Sequence, residues 1–244
     1  MSRELVRIYR TGEDYRRYTS DSPERRASLT SFVKHHRRYI GQSVLDLGCG
    51  GGVLGVLLAP TGRSYLGVDA NPDMMREARK TGLRFLQADI IRDRIAGRFD
   101  TLTLMGNAMA HFTVRDMDGL LRARRPNVHP GSTFVMDYRD LIAMFWQDSW
   151  TRVQVTTHVR GKITHRARLL NLERGTLDLR ARPSNRKWVL DWSHAIWSPF
   201  ILEMLMRHHG WLLVHRSALR KPAGASKIPE GYTDVYRLEA STVS

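Results

Sequence analysis

The residues best suited to chemistry form a glycine loop between two apolar segments. Residues 44–59, VLDLGCGGGVLGVLLA, run from a short apolar strand through Asp46 into glycines, and then into apolar residues at helical spacing. Gly50–Gly55 formally match the G-x-G-x-x-G pattern of dinucleotide-binding proteins. Asp46 argues against that ligand, because its carboxylate would repel a pyrophosphate lying over the loop at the helix N-terminus.

A positively charged ligand suits this loop better. The methionine end of S-adenosyl-L-methionine carries an ammonium and a sulfonium, and a carboxylate such as Asp46 attracts both. Glycines at positions 48, 50 and 52 let the backbone approach the ligand closely. The pattern Asp46-x-Gly48-x-Gly50-x-Gly52 therefore resembles the first motif of class I methyltransferases. The resemblance implies S-adenosyl-L-methionine as cofactor and S-adenosyl-L-homocysteine as product.

Two further acids follow where that family places them. Asp69 ends the second apolar strand and Asp89 the third. The resemblance implies that Asp69 accepts hydrogen bonds from both ribose hydroxyls, that Asp89 recognises the adenine amino group and that Met74 packs on the adenine. The residues themselves also allow Asp69 to cap the next helix, Asp89 to hold a turn and Met74 to be core. The remaining cofactor contacts expected in this region are Gly48, Cys49, Gly50, Ala70, Ala88, Ile90, Met105 and Gly106.

Two further segments resemble those of one subgroup of these methyltransferases. MGNAMAHF (Met105–Phe112) follows the fourth strand and DYRD (Asp137–Asp140) ends the fifth. Both resemble segments of the glycine/sarcosine N-methyltransferases. The resemblance implies that Arg139 pairs with a substrate carboxylate, that Asn107 binds the same substrate and that His111 lies near the cofactor's methionine end. A surface role for Arg139, a structural turn at Asn107 and a helix-start role for His111 stay open.

The same resemblance extends to both ends of the chain. It implies that Arg25, or its neighbour Arg26, holds the cofactor carboxylate and that Tyr15 and Tyr18 close over it. It also implies that Tyr232 lines the acceptor pocket. Residues 151–192 have little recognisable match in the family, so the acceptor is the least transferable property.

Methyl transfer to an amine needs a neutral nitrogen about 3 Å from the methyl group, opposite the sulfur. A dry pocket favours the neutral amine, so no strong base is obligatory. Tyr138, His111 and Tyr232 are candidates for a base, and His111 gains weight if the acceptor is an oxygen.

The elements that position these residues predict an α/β fold. Apolar strands alternate with helices up to about residue 137, which predicts a doubly wound, mostly parallel seven-stranded sheet of the Rossmann-like methyltransferase type. Residues 151–192 alternate polar and apolar residues, which indicates inserted antiparallel strands. We expect N-terminal helices and a cofactor-binding core over residues 1–150, a β cap over 151–192 and completion of the core over 193–244. The predicted strands cover residues 44–47, 64–69, 83–89, 99–105, 132–137, 210–217 and 232–239, and the predicted first helix runs from Pro23 to near Tyr39.

Composition restricts the environment and the partners. The chain has 244 residues, 42% of them hydrophobic, and a single cysteine, which excludes internal disulfides and cysteine metal clusters. We expect a cytoplasmic protein with no metal and no membrane span, because no apolar run reaches about 18 residues and the N-terminus lacks a signal peptide pattern. The formal charge of +15 favours either a basic composition alone or a nucleic acid partner.

These observations favour an enzyme that methylates a small molecule, an amine or amino acid. The alternative is an RNA methyltransferase, for tRNA or rRNA, that uses the basic surface. A protein substrate and a non-catalytic cofactor-binding regulator are further alternatives, and a homo-oligomer stays open. A dinucleotide oxidoreductase conflicts with Asp46.

Overall fold

The computed structural model describes residues 23–146, 153–158, 161–184, 189–219 and 229–240. The helices are α1 Pro23–His36, α2 Val53–Leu58, α3 Pro72–Arg79, α4 Val114–Arg124, α5 Leu141–Trp146 and α6 Pro199–His208. The strands are β1 Ser43–Leu47, β2 Ser64–Asp69, β3 Arg84–Gln87, β4 Thr101–Leu104, β5 Thr133–Arg139, β6 Val153–His158, β7 Gly161–Asn171, β8 Thr176–Pro183, β9 Leu190–Ala195, β10 Trp211–Ala218 and β11 Gly231–Leu238.

Seven strands form one sheet in the order β3-β2-β1-β4-β5-β11-β10. Strands β1 to β5 are parallel to one another, whereas β11 runs antiparallel to both β5 and β10. The prediction of a mostly parallel seven-stranded sheet is confirmed. Because the strand order reverses direction at β1, the carboxyl ends of β1 and β4 flank a crevice of the kind in which α/β proteins bind ligands.

Helices cover both faces of this sheet, as a doubly wound fold requires. On one face Leu29 and Phe32 of α1 pack with Val44 of β1 and Val135 of β5. On the other face Leu120 of α4 and Leu202 of α6 belong to a second buried cluster, with Leu45 and Phe134 from the same two strands. Since neighbouring residues of a strand point to opposite faces, Asp46 lies on the α1 face together with Val44.

The remaining four strands form a separate antiparallel sheet in the order β6-β7-β8-β9. Its buried face includes Leu177, Leu179 and Trp192, and Phe145 of α5 packs against it. The inserted antiparallel region is thus confirmed, although β9 ends at Ala195 rather than at residue 192. After β9, the buried indole of Trp197 donates to the backbone oxygens of Met109 and Phe112, both at 3.0 Å, which fastens the insert to the sheet.

Several predicted element ends move by a few residues in the structure, and two of these shifts involve the first helix and Asp89. Helix α1 stops at His36 and continues as a single 3-10 turn over Arg37–Tyr39. Strand β3 ends at Gln87, so Asp89 lies in the turn that follows rather than in the strand. Within the residues that the structure describes, no helix has the length and apolar character needed to cross a bilayer.

Candidate active site

A pocket with about 1090 Å³ of empty space, part of which is open to solvent, lies at the carboxyl ends of the parallel strands. Leu29, Gly51, Val53, Leu54, Ala108 and Phe112 complete its lining without having been predicted. Tyr15 and Tyr18 lie outside the described residues, and Arg26 is exposed while Arg25 lines the pocket. The predicted residues that line this one pocket are Arg25, Asp46, Gly48, Cys49, Gly50, Asp69, Ala70, Met74, Ala88, Asp89, Ile90, Met105, Gly106 and His111.

The glycine loop has a backbone that favours glycine. Gly48, Gly50 and Gly52 have φ angles of +68°, +55° and +78°, in the left-handed region. At Gly52 an added Cβ would also meet the ring of Phe85 at 2.5 Å, whereas Gly50 has open space around it. The loop therefore presents bare backbone to the pocket at Gly50, and it packs tightly against the protein at Gly52.

Asp46 is a buried carboxylate at the base of the pocket, 3% exposed. Its Oδ1 accepts a hydrogen bond from the hydroxyl of Thr103 and its Oδ2 one from the hydroxyl of Tyr65, both at 2.7 Å. Burial raises the pKa of Asp46 to about 6, although both hydrogen bonds and the nearby Arg25 favour the charged form. The carboxylate is therefore ionised at neutral pH, and a cation in the pocket would stabilise it further.

Asp69 accepts hydrogen bonds from the backbone of two loops beside the pocket. Its Oδ2 accepts from the backbone N–H of Gly50 at 3.0 Å, and its Oδ1 accepts from the N–H of Asn71 at 2.8 Å. Asn71 itself provides the side-chain cap of α3, since its Oδ1 accepts from the N–H groups of Asp73 and Met74. Burial raises the pKa of Asp69. Each oxygen of Asp69 retains acceptor capacity, so the carboxylate can still receive two ligand hydroxyls.

Asp89, Met74 and Ile90 give another part of the pocket lining an acid beside apolar side chains. The Oδ1 atom of Asp89 accepts from the N–H groups of Ile91 and Arg92, at 2.9 and 3.3 Å, so Asp89 holds a turn while lining the pocket. Met74 and Ile90 are buried beside it. A flat apolar group with a hydrogen-bond donor at its edge would match these surroundings.

The β4 and β5 ends meet at Asn107, which is held in an unusual conformation. Its φ angle is +57°, its N–H donates to Asp137 Oδ1 at 2.7 Å, and its Oδ1 accepts from the N–H of Arg139 at 3.2 Å. Arg25 Nη1 lies 3.9 Å from Asp137 Oδ2, and its guanidinium occupies the space that a side chain at Gly106 would need. Asp137 thus connects the first helix, the Gly106–Asn107 turn and β5.

Two histidines lie next to this turn, His194 buried and His111 partly buried. His111 lines the pocket, and burial together with the nearby His194 lowers its pKa to about 4. His194 belongs to β9 of the inserted sheet, and its Nε2 lies 3.4 Å from Nδ2 of Asn107. Burial likewise lowers the pKa of His194 to about 4. Sequence reasoning missed His194, because it belongs to no motif and only the packing of the insert brings it here.

Tyr138 and Tyr232 are not among the residues that line the pocket. Tyr138 points to the face opposite that of Asp137, where its hydroxyl donates to the buried Asp234 at 3.1 Å. Tyr232 pairs with Tyr138 across the sheet, with ring centroids 6.0 Å apart, beneath Arg216. Burial raises the pKa values of both phenols, so they stay protonated at neutral pH. Neither residue is placed to act as a base at this pocket.

Comparison with known proteins agrees with this architecture. Residues 44–131 match the family model described as a methyltransferase domain. A solved S-adenosylmethionine-dependent methyltransferase from Clostridium acetobutylicum superposes with a TM-score of 0.71 at 17% identity, covering 95% of this chain and 99% of that one. The chain has the Rossmann-like methyltransferase fold.

Curated relatives share a shorter region. A ubiquinone biosynthesis O-methyltransferase from Methylococcus capsulatus is 35% identical over 82 residues, which are 30% of this chain and 35% of that protein. A cypemycin N-terminal methyltransferase from Streptomyces sp is 31% identical over 121 residues, 47% of this chain and 49% of that protein. The chain thus spans between a third and a half of the length of these relatives.

Proposed function

We propose that this chain is an S-adenosylmethionine-dependent methyltransferase whose acceptor is a small molecule, an amine or amino acid. The observation that carries the proposal is the single pocket in which the glycine loop meets Asp46 and Asp69. The fold, the matching methyltransferase domain and the names of similar proteins support the same activity.

The residues present fit the cofactor. Bare backbone at Gly50 allows close approach, and two buried carboxylates suit a ligand with a positive end and two ribose hydroxyls. Arg25, on the pocket wall, would hold the carboxylate of the methionine end. When bound, S-adenosylmethionine supplies a methyl group already activated by the sulfonium, so the protein needs only to bind and orient the acceptor.

The titration of the site favours nitrogen over oxygen as the acceptor atom. An imidazole of pKa about 4 is a poor base for a phenol of pKa about 10, because that proton transfer costs roughly 8 kcal/mol. A phenol that instead loses its proton to water at pH 7, at roughly 4 kcal/mol, enters the site as an anion, whereas an amine with a pKa between about 8 and 10 does so at roughly 1.4–4 kcal/mol and enters neutral. Neutral His111 and His194 therefore suit an amine. A phenolic acceptor is the second candidate, supported by the ubiquinone O-methyltransferase among the relatives.

The acceptor would be held by residues at the end of β5. Arg139 follows the turn at Asn107 and lies close enough to His194 to lower the pKa of that histidine. A guanidinium at this position would pair with the carboxylate of an amino acid acceptor, while Asn107 would hydrogen-bond the same molecule. Placement of the carboxylate would then fix the direction of the amine.

The arrangement of basic residues gives less support to an RNA substrate. Arg25 is the single lysine or arginine among the described residues that line the pocket. The basic side chains of Lys34, Arg37, Arg38 and Arg63 instead line a different cleft, near the amino ends of β1 and β2. An RNA acceptor would need its phosphates held around the mouth of the pocket.

Calorimetric titration with S-adenosylmethionine and with NAD tests the cofactor. We expect binding of the first and not of the second. Incubation with methyl-labelled cofactor and, separately, glycine, sarcosine, catechol and total RNA then tests the acceptor. Label in an amine supports the proposal, label in catechol supports the second candidate, and label in RNA alone refutes both. Absence of S-adenosylmethionine binding would refute the whole proposal.

A further inference from the structure

The inserted sheet places His194 beside Asn107 and near His111, which lines the pocket. His194 lies on β9 opposite Leu177 of β8, on the buried face of that sheet, and it is 5% exposed. The 3-10 turn Ala108–His111, which follows Asn107, packs against β9. The insert therefore meets the parallel sheet at a polar side chain, although the surrounding cluster is apolar.

Hydrogen bonding fixes which ring nitrogen of His194 carries the proton. Nδ1 lies 2.8 Å from the carbonyl oxygen of Ala195, and a carbonyl can only accept, so Nδ1 carries the hydrogen. In the neutral imidazole Nε2 is then the unprotonated nitrogen. The amide of Asn107 agrees, because its Oδ1 accepts from Arg139 and its Nδ2 is left to face the Nε2 lone pair.

The position of that lone pair is suited to an uncharged donor. The contact between Asn107 Nδ2 and His194 Nε2, at 3.4 Å, is longer than an ordinary hydrogen bond, so an N–H group of better geometry can replace it. The positive charge of Arg139 acts on the same imidazole and disfavours a second cation beside it. A neutral amine meets both conditions, whereas an ammonium meets only the first.

We propose that His194 contacts the acceptor, its Nε2 accepting a hydrogen bond from an N–H of a neutral primary or secondary amine. This inference rests on the proposed function. Because the amine donates an N–H in this hydrogen bond, its nitrogen lone pair remains available to accept the methyl group. His194 thus binds and orients the amine, and a tertiary amine, which has no N–H, is a poor acceptor.

Two substitutions separate this role from a structural one. His194→Gln keeps a polar group near the position of Nε2, and His194→Asn keeps one near the position of Nδ1, which bonds Ala195. We expect the acceptor Kd in His194→Gln to stay within about threefold of the parent value, and in His194→Asn to rise at least about tenfold. If His194 served only to bond Ala195, the acceptor Kd would instead rise more in His194→Gln than in His194→Asn.

The measurement uses the [15N]histidine-labelled protein saturated with S-adenosyl-L-homocysteine and titrated with glycine, sarcosine and ethanolamine. The His194 signals are assigned by their loss in His194→Gln. We expect a protonated Nδ1 in the free protein and a shift of the Nε2 resonance on addition of at least one amine. A proton on Nε2, no shift with any of the three amines, or equal amine binding by the Gln and Asn variants would overturn the proposal.

Controls distinguish this failure from failure of the proposed function. The tautomer of His194 is read without any ligand, and calorimetry with S-adenosyl-L-homocysteine reports the cofactor site separately. We expect both variants to bind S-adenosyl-L-homocysteine as the parent protein does, because His194 does not line the cofactor pocket. Intact cofactor binding with unaltered amine binding would reject His194 alone.

Discussion

Acidification should weaken cofactor binding through Asp46. The pKa of this buried carboxyl is about 6 without ligand. At that pKa the group is about 97% ionised at pH 7.5 and about 9% ionised at pH 5. If S-adenosylmethionine binds only the ionised form, its affinity falls roughly tenfold over that interval. The imidazoles of His111 and His194, with pKa values of about 4, change charge below it.

The assay is calorimetric titration with S-adenosylmethionine at pH 7.5, 6.5, 5.5 and 5, compared with Asp46→Asn. We expect the parent affinity to fall with a midpoint near pH 6 and the variant to bind weakly with little pH dependence. Asp69 is the internal control, because its pKa is also raised by burial. If the pH dependence persists in Asp46→Asn and vanishes in Asp69→Asn, the titrating carboxyl is that of Asp69 and the assignment to Asp46 is wrong. A flat profile in the parent protein would refute the reasoning.

The same pKa shift has the opposite effect on folding stability: acidification stabilises the folded state while it weakens cofactor binding. A carboxyl whose pKa is raised in the folded state stabilises that state fully when protonated, below its ordinary pKa of 3.8. This contribution is lost as the pH rises through about 6. At neutral pH the charged Asp46 therefore disfavours folding by up to roughly 3 kcal/mol. We expect Asp46→Asn to melt at the parent temperature or higher at pH 7.5 while binding cofactor poorly, which a thermal melt measures.

Three further substitutions test other parts of the site. Asp69→Ala should weaken S-adenosylmethionine binding at least about tenfold through loss of the ribose acceptor, while Asp73→Ala on the neighbouring helix should leave calorimetric affinity unchanged. Arg139→Ala should raise the acceptor KM and spare cofactor affinity; equal loss of both would make Arg139 structural. Gly52→Ala should lower the melting temperature more than Gly62→Ala, because both have positive φ but only Gly52 would clash, with Phe85. Equal melting temperatures would show that Phe85 moves aside freely.

The cofactor half of the site could be predicted because its determinants are local. Asp46, the glycines and Asp69 each belong to a strand followed directly by a turn and a helix, and the ends of parallel strands meet at one edge of the sheet. Predicting the positions of these acids required no knowledge of long-range packing beyond the strand order. The prediction for Asp89 was off by a few residues: Asp89 lies in the turn after β3 and not at the end of the strand, but it still lines the pocket.

The acceptor half depends on relations that are less visible in the sequence. His194 and Asn107 are 87 residues apart and meet only because the inserted sheet packs on the turn after β4. The position of Tyr138 follows from a rule that the sequence does contain. Asp137 and Arg139 share one face of β5, so Tyr138 between them must point to the other. Strand alternation therefore removes Tyr138 from the candidates for a base at this pocket, and its hydroxyl bonds Asp234 instead.

Charge explains why the two halves of the site differ. In the proposed reaction the cofactor half loses a positive charge and the acceptor half gains one. Asp46 and Asp69 attract the ligand more strongly before transfer than after it, because the sulfonium charge is then gone. On the other side Arg139 repels the newly methylated ammonium, and neutral His194 can accept a hydrogen bond from it but supplies no compensating negative charge. Both products are therefore held less firmly than the reactants they replace, so the distribution of charge that assembles the reactants also favours release of the products.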